Sequence, residues 1–140
     1  MKPLTAGQVL DTRHYRVSRA DLVRYAGASG DFNPIHWSDR VARAVGLPGV
    51  VAHGMYTMAL ASRALTTWVG HAGIVDFSVR FTHPVVVPDN EEGTGVVVAG
   101  VVAEVGADGL ARVDLTVTCA GTRVLGRARA SVVAATGVDG

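Results

Sequence analysis

The stretch GMYTMALASRALTTWV, residues 54–69, decides the fold of this chain. Its residues are almost apolar on every side, and Arg63 is its only charge. A helix without a polar face does not suit a protein surface, so other elements have to cover it. We therefore predict a helix from Gly54 to Val69 that the rest of the chain encloses.

The second half of the chain has the period of β-strands. Apolar and polar residues alternate from Val75 to Phe81 and from Ala111 to Cys119, as in strands with one buried face. Three further strands are predicted at Asp11–Val17, Val96–Val105 and Arg123–Val133. Short turns at 106–109 and 120–122 join successive strands, which favours an antiparallel sheet. The predicted fold class is α+β, with this sheet wrapped around the central helix.

The composition is that of one ordinary globular domain, residues 1–140, with 135–140 as a frayed tail. The net charge is +1, and no basic cluster with interleaved aromatic residues predicts a nucleic-acid partner. No apolar run is long enough for a membrane span, and the N-terminal residues lack the apolar core of a signal peptide. The single cysteine, Cys119, is expected to be a buried apolar residue. These features predict a cytoplasmic protein.

A capped helix and an irregular loop precede the central helix. Ser18 and Asp21 have the spacing of a capping box, and the helix that they begin is predicted to end at Gly30. The loop DFNPIH, residues 31–36, cannot continue this helix, because Pro34 restricts the residue before it to extended or turn geometry. The loop therefore interrupts the helical part of the chain.

Asp31 and His36 are the candidate chemical groups of this loop. On a kinked loop their side chains can turn toward one point, whereas the same spacing on a helix would separate them. A carboxylate and a neutral imidazole can together hold and deprotonate a water molecule. Taken alone, the residues favour turn formation by Asp31 and a structural hydrogen bond from His36 over this chemistry.

The remaining histidines and several arginines carry weaker signals. His53, His71 and His83 have no carboxylate or cysteine partner at metal-ligand spacing, so they are interpreted as structural or surface residues and no metal is expected. Arg80, Arg127 and Arg129 alternate along predicted strands, as on a solvated face. A second interpretation is that these arginines meet the phosphates of a pantetheine carrier.

Three segments resemble the MaoC-like, or hydratase-2, family. YAGASGDFNPIHWSD at 25–39 resembles the family's signature, VAHGMYTMAL at 51–60 its central-helix entry, and VRFTHPVVVPD at 79–89 the strand that follows. The resemblance extends over about Thr5 to Ala134 and implies a single hot-dog fold. It implies reversible hydration of trans-2-enoyl thioesters and dehydration of (3R)-hydroxyacyl thioesters, with the substrate on coenzyme A or acyl carrier protein and no cofactor of its own.

The same resemblance assigns roles to individual residues. It implies that Asp31 and His36 activate the water that adds to the β-carbon. The backbone N–H of Gly54 is the oxyanion candidate, because amides at a helix start are unpaired and lie at the positive end of the helix dipole. Tight packing is the other interpretation of Gly54. Asn33 and Ser62 are supporting candidates, with turn formation and a bond within the helix as their alternatives.

The resemblance also implies a second hot-dog subunit. It favours a heterodimer in which this chain is the catalytic subunit of a type II fatty-acid-synthase dehydratase, and the apolar run Val96–Val105 would suit a buried interface. A homodimeric (R)-specific enoyl-coenzyme A hydratase is the alternative. A hot-dog thioesterase would carry a carboxylate on the central helix, and Gly54–Val69 has none. A non-catalytic acyl-thioester-binding or assembly subunit would not need Asp31 and His36 together.

Overall fold

The computed structural model describes residues 3–134, so the predicted fraying of 135–140 lies outside the described residues. The strands are β1 (Val9–Val17), β2 (Ile74–Phe81), β3 (Thr94–Val105), β4 (Leu110–Cys119) and β5 (Thr122–Val133). The α-helices are α1 (Arg19–Ser29), α2 (Asp39–Ala44) and α3 (Gly54–Val69), and short 3₁₀ helices occupy Pro34–His36 and His71–Gly73. The predicted elements are therefore present, with ends shifted by a few residues.

The strands form one antiparallel sheet in the order β1-β3-β4-β5-β2. Tight turns join β3 to β4 and β4 to β5, as the sequence predicts. Along β4 the burial alternates, and Ala111, Val113, Leu115, Val117 and Cys119 all face the core. Cys119 is a free, buried thiol, as predicted. The α+β class is confirmed.

The central helix α3 packs across one face of this sheet, but it is not enclosed on all sides. Its buried side chains are Thr57, Leu60, Ala61, Ala64, Leu65 and Val69. Met55, Ala59, Arg63 and Thr67 recur at every fourth position and are exposed. The prediction of full enclosure is wrong for the single chain, because a single sheet covers only one side of a helix.

The C-terminal half of α3 is held close to the sheet by Trp68. Its indole N–H donates to the backbone oxygen of Asp11 on β1 at 2.8 Å. The ring lies so close to Gly100 of β3 that a Cβ there would be 2.7 Å from Trp68. Glycine is therefore required at position 100 for this approach.

The edge strand β2 departs from the predicted half-buried pattern. Val75 is 59% exposed and Phe81 57% exposed, and no residue of this strand is fully buried. An edge strand has a neighbour on one side only, and that position follows from strand order, which local alternation does not encode. By contrast, Val96 and Val98 on the interior strand β3 are fully buried in the chain's own core, whereas Val101 and Val105 of the same run are exposed, so the core accounts for one face of the run and the interface for the other face stays a prediction.

Helix α1 has the ends that the sequence predicts. Ser18 and Asp21 form the reciprocal capping box, and Gly30 closes the helix with φ 76°. That left-handed conformation carries little cost for glycine and turns the chain sharply into the loop at 31–36. Within the described residues, no helix is long and apolar enough to cross a membrane.

Candidate active site

The loop after Gly30 is shaped by its own side chains. The amide of Asp31 donates to Ser29 Oγ at 3.2 Å, and Asp31 Oδ1 accepts from the amide of Asn33 at 3.1 Å. Asn33 Oδ1 in turn accepts from the amide of Ile35 at 3.2 Å and caps the 3₁₀ helix that carries His36. These successive Asx turns place Asp31 and His36 on the same side of the loop.

His36 is buried and held in one tautomer. Its Nδ1 lies 2.7 Å from the backbone oxygen of Val51, and the amide of Val51 donates to the carbonyl of Ile35 at 3.1 Å. A carbonyl only accepts, so Nδ1 carries the proton and Nε2 of the neutral ring has a free lone pair. This lone pair can accept a proton or a hydrogen bond.

The free Nε2 of His36 faces Asp31. The distance from Nε2 to Asp31 Oδ2 is 3.8 Å, too long for a direct hydrogen bond. One oxygen atom can lie about 2.8 Å from both atoms, so a water can donate one hydrogen to each, and a substrate hydroxyl can donate its one hydrogen to either. The structure thus brings together the two residues that the sequence singles out, with room for one oxygen between them.

An apolar cavity of about 290 Å³ lies beside this pair. His36, Gly54, Thr57 and Phe81 contribute to its lining, together with Ile35, Val51, Ala52, Thr82, His83, Pro84, Val85, Val124 and Leu125. The cavity opens along residues 81–84, which are exposed. Its lining is mainly apolar, and His36 and Gly54 form a polar end.

Gly54 begins α3 and forms part of this cavity. Among the described residues, no group accepts its N–H, as expected for the first residue of a helix. A Cβ on Gly54 would lie 3.0 Å from Phe81 Cε1, so the glycine also permits close packing of that ring. Both interpretations of Gly54 that the sequence leaves open are compatible with this geometry.

The two supporting candidates differ in position. Asn33 lies within the loop, and its side-chain oxygen is used by the turn, as the alternative interpretation has it. Ser62 lies two turns along α3 from Gly54, about 12 Å away along the axis, and in the described part of the chain no hydrogen bond joins it to Asp31. The structure therefore does not bring Ser62 to the pair.

His53 is the residue that sequence reasoning places least accurately. It is 2% exposed, and its ring stacks on that of His36 with 3.8 Å between centroids and 21° between planes. Its Nε2 lies 3.1 Å from the backbone oxygen of Asp31. The available signal is its position directly before the first residue of α3. His71 and His83, by contrast, are exposed, as predicted for surface residues.

Asp31, His36 and His53 each offer an atom within 4.8 Å of the others, so the cluster has to be tested as a metal site. The ring nitrogens that remain after the two carbonyl contacts are Nε2 of His36 and Nδ1 of His53. Lone pairs lie in the ring planes, and an ion between two stacked rings would lie well outside both planes. The cluster does not suit a metal, and work without a metal or cofactor stays a prediction.

The arginines Arg80, Arg127 and Arg129 lie on the exposed side of β2 and β5. Arg129 Nε is 4.0 Å from Asp114 Oδ1, so one of the three is near a counter-charge. Their exposure agrees with the solvated face that the sequence predicts. No contact links them to Asp31 or His36 within residues 3–134.

Comparison with known proteins places these features in a family. Residues 2–118 match the sequence model described as MaoC like domain. The 3-hydroxyacyl-thioester dehydratase X of Mycobacterium tuberculosis is 41% identical over 73 residues, which cover 52% of this chain and 25% of that protein. The match thus spans about a quarter of the length of that curated relative.

Solved structures agree with the fold. A MaoC-like dehydratase superposes with a TM-score of 0.90 at 35% identity, over 94% of this chain and 41% of the other. An R-hydratase from Pseudomonas aeruginosa, in its unliganded form, superposes with a TM-score of 0.77 at 28% identity, over 94% of this chain and 82% of the other. These superpositions confirm the predicted hot-dog architecture.

Proposed function

We propose that this chain, which belongs to the MaoC-like domain family, hydrates trans-2-enoyl thioesters reversibly and dehydrates (3R)-hydroxyacyl thioesters. The observation that carries the proposal is the gap of 3.8 Å between His36 Nε2 and Asp31 Oδ2, which suits one oxygen atom held by two proton acceptors. A dehydratase relative and an R-hydratase structural neighbour support the two directions of the same reaction.

In the hydration direction, the water oxygen bonds to the β-carbon while Asp31 and His36 take up one of its protons. The α-carbon receives a proton on the same face, and the carbon–carbon double bond becomes single. Dehydration reverses these steps: the pair removes the α-proton and returns a proton to the departing hydroxyl. Neither direction changes an oxidation state overall, so the pair needs no electron acceptor.

Negative charge develops on the thioester oxygen while the α-carbon is protonated or deprotonated. The N–H of Gly54 is suited to bind this oxygen, because it has no acceptor among the described residues and lies at the positive end of the α3 dipole. The cavity that Gly54 and His36 share would hold the start of the acyl chain. This arrangement supports Gly54 as the oxyanion donor.

A second hot-dog subunit completes the proposed enzyme. The cavity opens along exposed residues 81–84, and the neighbouring edge strand β2 exposes Val75 and Phe81. A partner against this edge would cover apolar surface and lengthen the acyl channel. We favour a heterodimer in which this chain is the catalytic subunit of a fatty-acid-synthase dehydratase. A homodimeric enoyl-coenzyme A hydratase is the alternative, and either coenzyme A or acyl carrier protein carries the substrate.

The proposal is tested by following the loss of conjugated enoyl-thioester absorbance with trans-2-butenoyl-coenzyme A. Asp31→Asn removes one proton acceptor at nearly constant shape and is expected to lower kcat by about 10²–10⁴-fold. Asp89→Asn is the matched control, because Asp89 is exposed and outside the loop. Activity of the wild-type chain alone would favour the homodimer.

Activity that requires an added hot-dog subunit would favour the heterodimer. A folded wild-type chain that stays inactive with such a partner contradicts the proposed function. Thioester binding without turnover, equal in wild type and Asp31→Asn, would identify a binding subunit instead.

A further inference from the structure

His53 contacts both members of the proposed acid–base pair without lying between them. Its Nε2 is 3.1 Å from the backbone oxygen of Asp31, and its ring stacks on His36 at 3.8 Å. His53 is 2% exposed, whereas histidine is only sometimes fully buried in folded proteins. The His53 side chain therefore contacts the backbone of Asp31 and the ring of His36.

The hydrogen bond to Asp31 determines the tautomer of His53. The Asp31 carbonyl can only accept, so Nε2 carries the proton. Burial lowers the pKa of His53 below its ordinary value, against a smaller opposing effect of the Asp31 carbonyl. The ring is therefore neutral at neutral pH, and a neutral ring has one N–H, which it uses here. Nδ1 is buried and has no partner in the described part of the chain.

The ring of His53 is held by the helices around it. The edge of Tyr25 on α1 meets it with 4.7 Å between centroids, and Tyr25 also contacts Tyr56 on α3 at 5.2 Å. His53 itself is the residue at which α3 begins, directly before Gly54. Its donor N–H thus projects from a packed junction of two helices toward an exposed loop.

We propose that His53 is a positioning residue, whose Nε2–H fixes the backbone of Asp31 so that its carboxylate stays opposite His36 Nε2. The role rests on the proposed function. The Asp31 side chain is 51% exposed and its loop is otherwise shaped by local Asx turns. Among the described residues, the bond to His53 is therefore the hydrogen bond that joins Asp31 to the buried part of the chain. His36 depends less on His53, because the Val51 carbonyl also holds its ring.

Loss of this donor should affect turnover more than binding. A displacement of about 1 Å between reacting groups can cost about 10²-fold in rate. The acyl cavity does not include His53 among its lining residues, so the KM of an enoyl thioester should change little. A merely structural role would not separate kcat from KM in this way.

Two substitutions separate the donor from the ring. His53→Phe keeps an aromatic ring against His36 and removes the N–H, whereas His53→Gln can place an amide N–H near the position of Nε2. Steady-state hydration is measured for both, with the partner subunit if the wild type requires one. His14→Gln is the matched control, because His14 is exposed on β1. Circular dichroism and thermal unfolding establish that each variant is folded.

The expected result is a fall in kcat of about 10- to 100-fold for His53→Phe, with KM within about threefold of wild type. His53→Gln should recover kcat to within about threefold of wild type, since it restores a donor. A folded His53→Gln as slow as His53→Phe, or a His53→Phe within twofold of wild type, would overturn the positioning role. If His53→Phe does not fold, a folded His53→Gln slowed more than tenfold overturns it as well.

These outcomes are distinct from failure of the proposed function. If the wild type is active, and this activity is lost in Asp31→Asn but kept in His53→Phe, the positioning role is overturned and the proposed hydratase function stands. A wild type that is inactive with a partner overturns both.

Discussion

Asp31 and His36 differ in their access to water. The Asp31 side chain is 51% exposed and that of His36 is 9% exposed. In the proposed reaction, Asp31 can therefore exchange protons with solvent directly, whereas Nε2 of His36 is reached from the gap between the two residues. Because Nδ1 of His36 is hydrogen-bonded to the Val51 carbonyl, the ring does not have to flip during the proposed reaction.

Gly54→Ala tests whether a thioester approaches the start of α3. The added Cβ would lie 3.0 Å from Phe81 Cε1, inside the cavity lining, and the ring of Phe81 is 57% exposed and free to move aside. We expect the free energy of unfolding to change by less than about 1 kcal/mol, while kcat/KM falls about tenfold or more. Urea unfolding and steady-state hydration measure the two effects.

Gly27→Ala is the control for this substitution. Gly27 lies in α1, and a Cβ there meets nothing within 4 Å. The substitution should stabilise the fold by up to about 1 kcal/mol and leave hydration unchanged. A Gly54→Ala variant with the kcat/KM of Gly27→Ala would show that the thioester does not need the space that the missing Cβ leaves at Gly54.

Sequence patterns can single out candidate side chains of the site but not its backbone contacts. Asp31, His36 and Gly54 occupy recognisable turn and helix-start positions. The structure places His36 and Gly54 in the lining of one cavity, with Asp31 Oδ2 3.8 Å from His36 Nε2. His53 acts on the main-chain oxygen of Asp31, and every residue has such an oxygen. A contact of this kind leaves no residue-type pattern to find.

At the scale of elements, the turn between β4 and β5 contains a residue that does not suit the turn's backbone conformation. Ala120 and Gly121 form a two-residue loop with φ 49° and 76°. Positive φ at both positions is typical of a type I′ turn, which prefers Asn-Gly or Gly-Gly, and a Cβ at the first position is strained. The hairpin therefore folds in spite of Ala120.

Ala120→Gly should relieve this strain. We expect a gain of about 0.5–1 kcal/mol in the free energy of unfolding, measured by urea denaturation, with unchanged hydration. Gly109→Ala, which introduces a Cβ at φ 80° in the turn between β3 and β4, should lower the free energy of unfolding. A loss of stability in Ala120→Gly would show that the turn is held by something other than its backbone preference.

The elements differ in how far local sequence predicts them. The capping box, Gly30 and the alternation along β4 are local signals, and each predicts the observed structure. The exposed side of α3 and the edge position of β2 depend on which strands neighbour which, and the sheet order β1-β3-β4-β5-β2 brings distant segments together. Local periodicity cannot encode that order.

At the scale of the whole molecule, one carboxylate joins α1, α2 and the segment that leads into α3. Asp39 Oδ1 accepts from the amide of Val50 at 2.9 Å and from Arg19 Nη2 at 2.9 Å. Arg19 Nε also donates to the carbonyl of Val87 at 2.7 Å. Since Val51 holds His36, the position of the site depends on this network.

These contacts make the fold sensitive to acid. The Val50 amide, followed by the Arg19 guanidinium, holds the pKa of Asp39 below its ordinary value. A lowered folded-state pKa contributes stability that is complete above the unfolded-state value of about 4 and is lost as pH falls through the folded-state value. His53 also makes the fold less stable as pH falls, but at higher pH. Burial lowers its pKa in the folded chain, so the unfolded chain binds a proton at this histidine first.

Asp39→Asn separates the carboxylate's charge from its geometry. The amide oxygen can still accept from Val50 and Arg19, but it does not titrate. We expect the variant to be less stable than wild type at pH 7 and the difference to shrink as pH falls below about 4, measured by urea unfolding at pH 7, 5 and 3. The decrease in the free energy of unfolding between pH 7 and 5 should persist in Asp39→Asn, because it arises from protonation of His53 in the unfolded chain. A difference between wild type and variant that is constant over this range would mean that Asp39 acts through geometry alone.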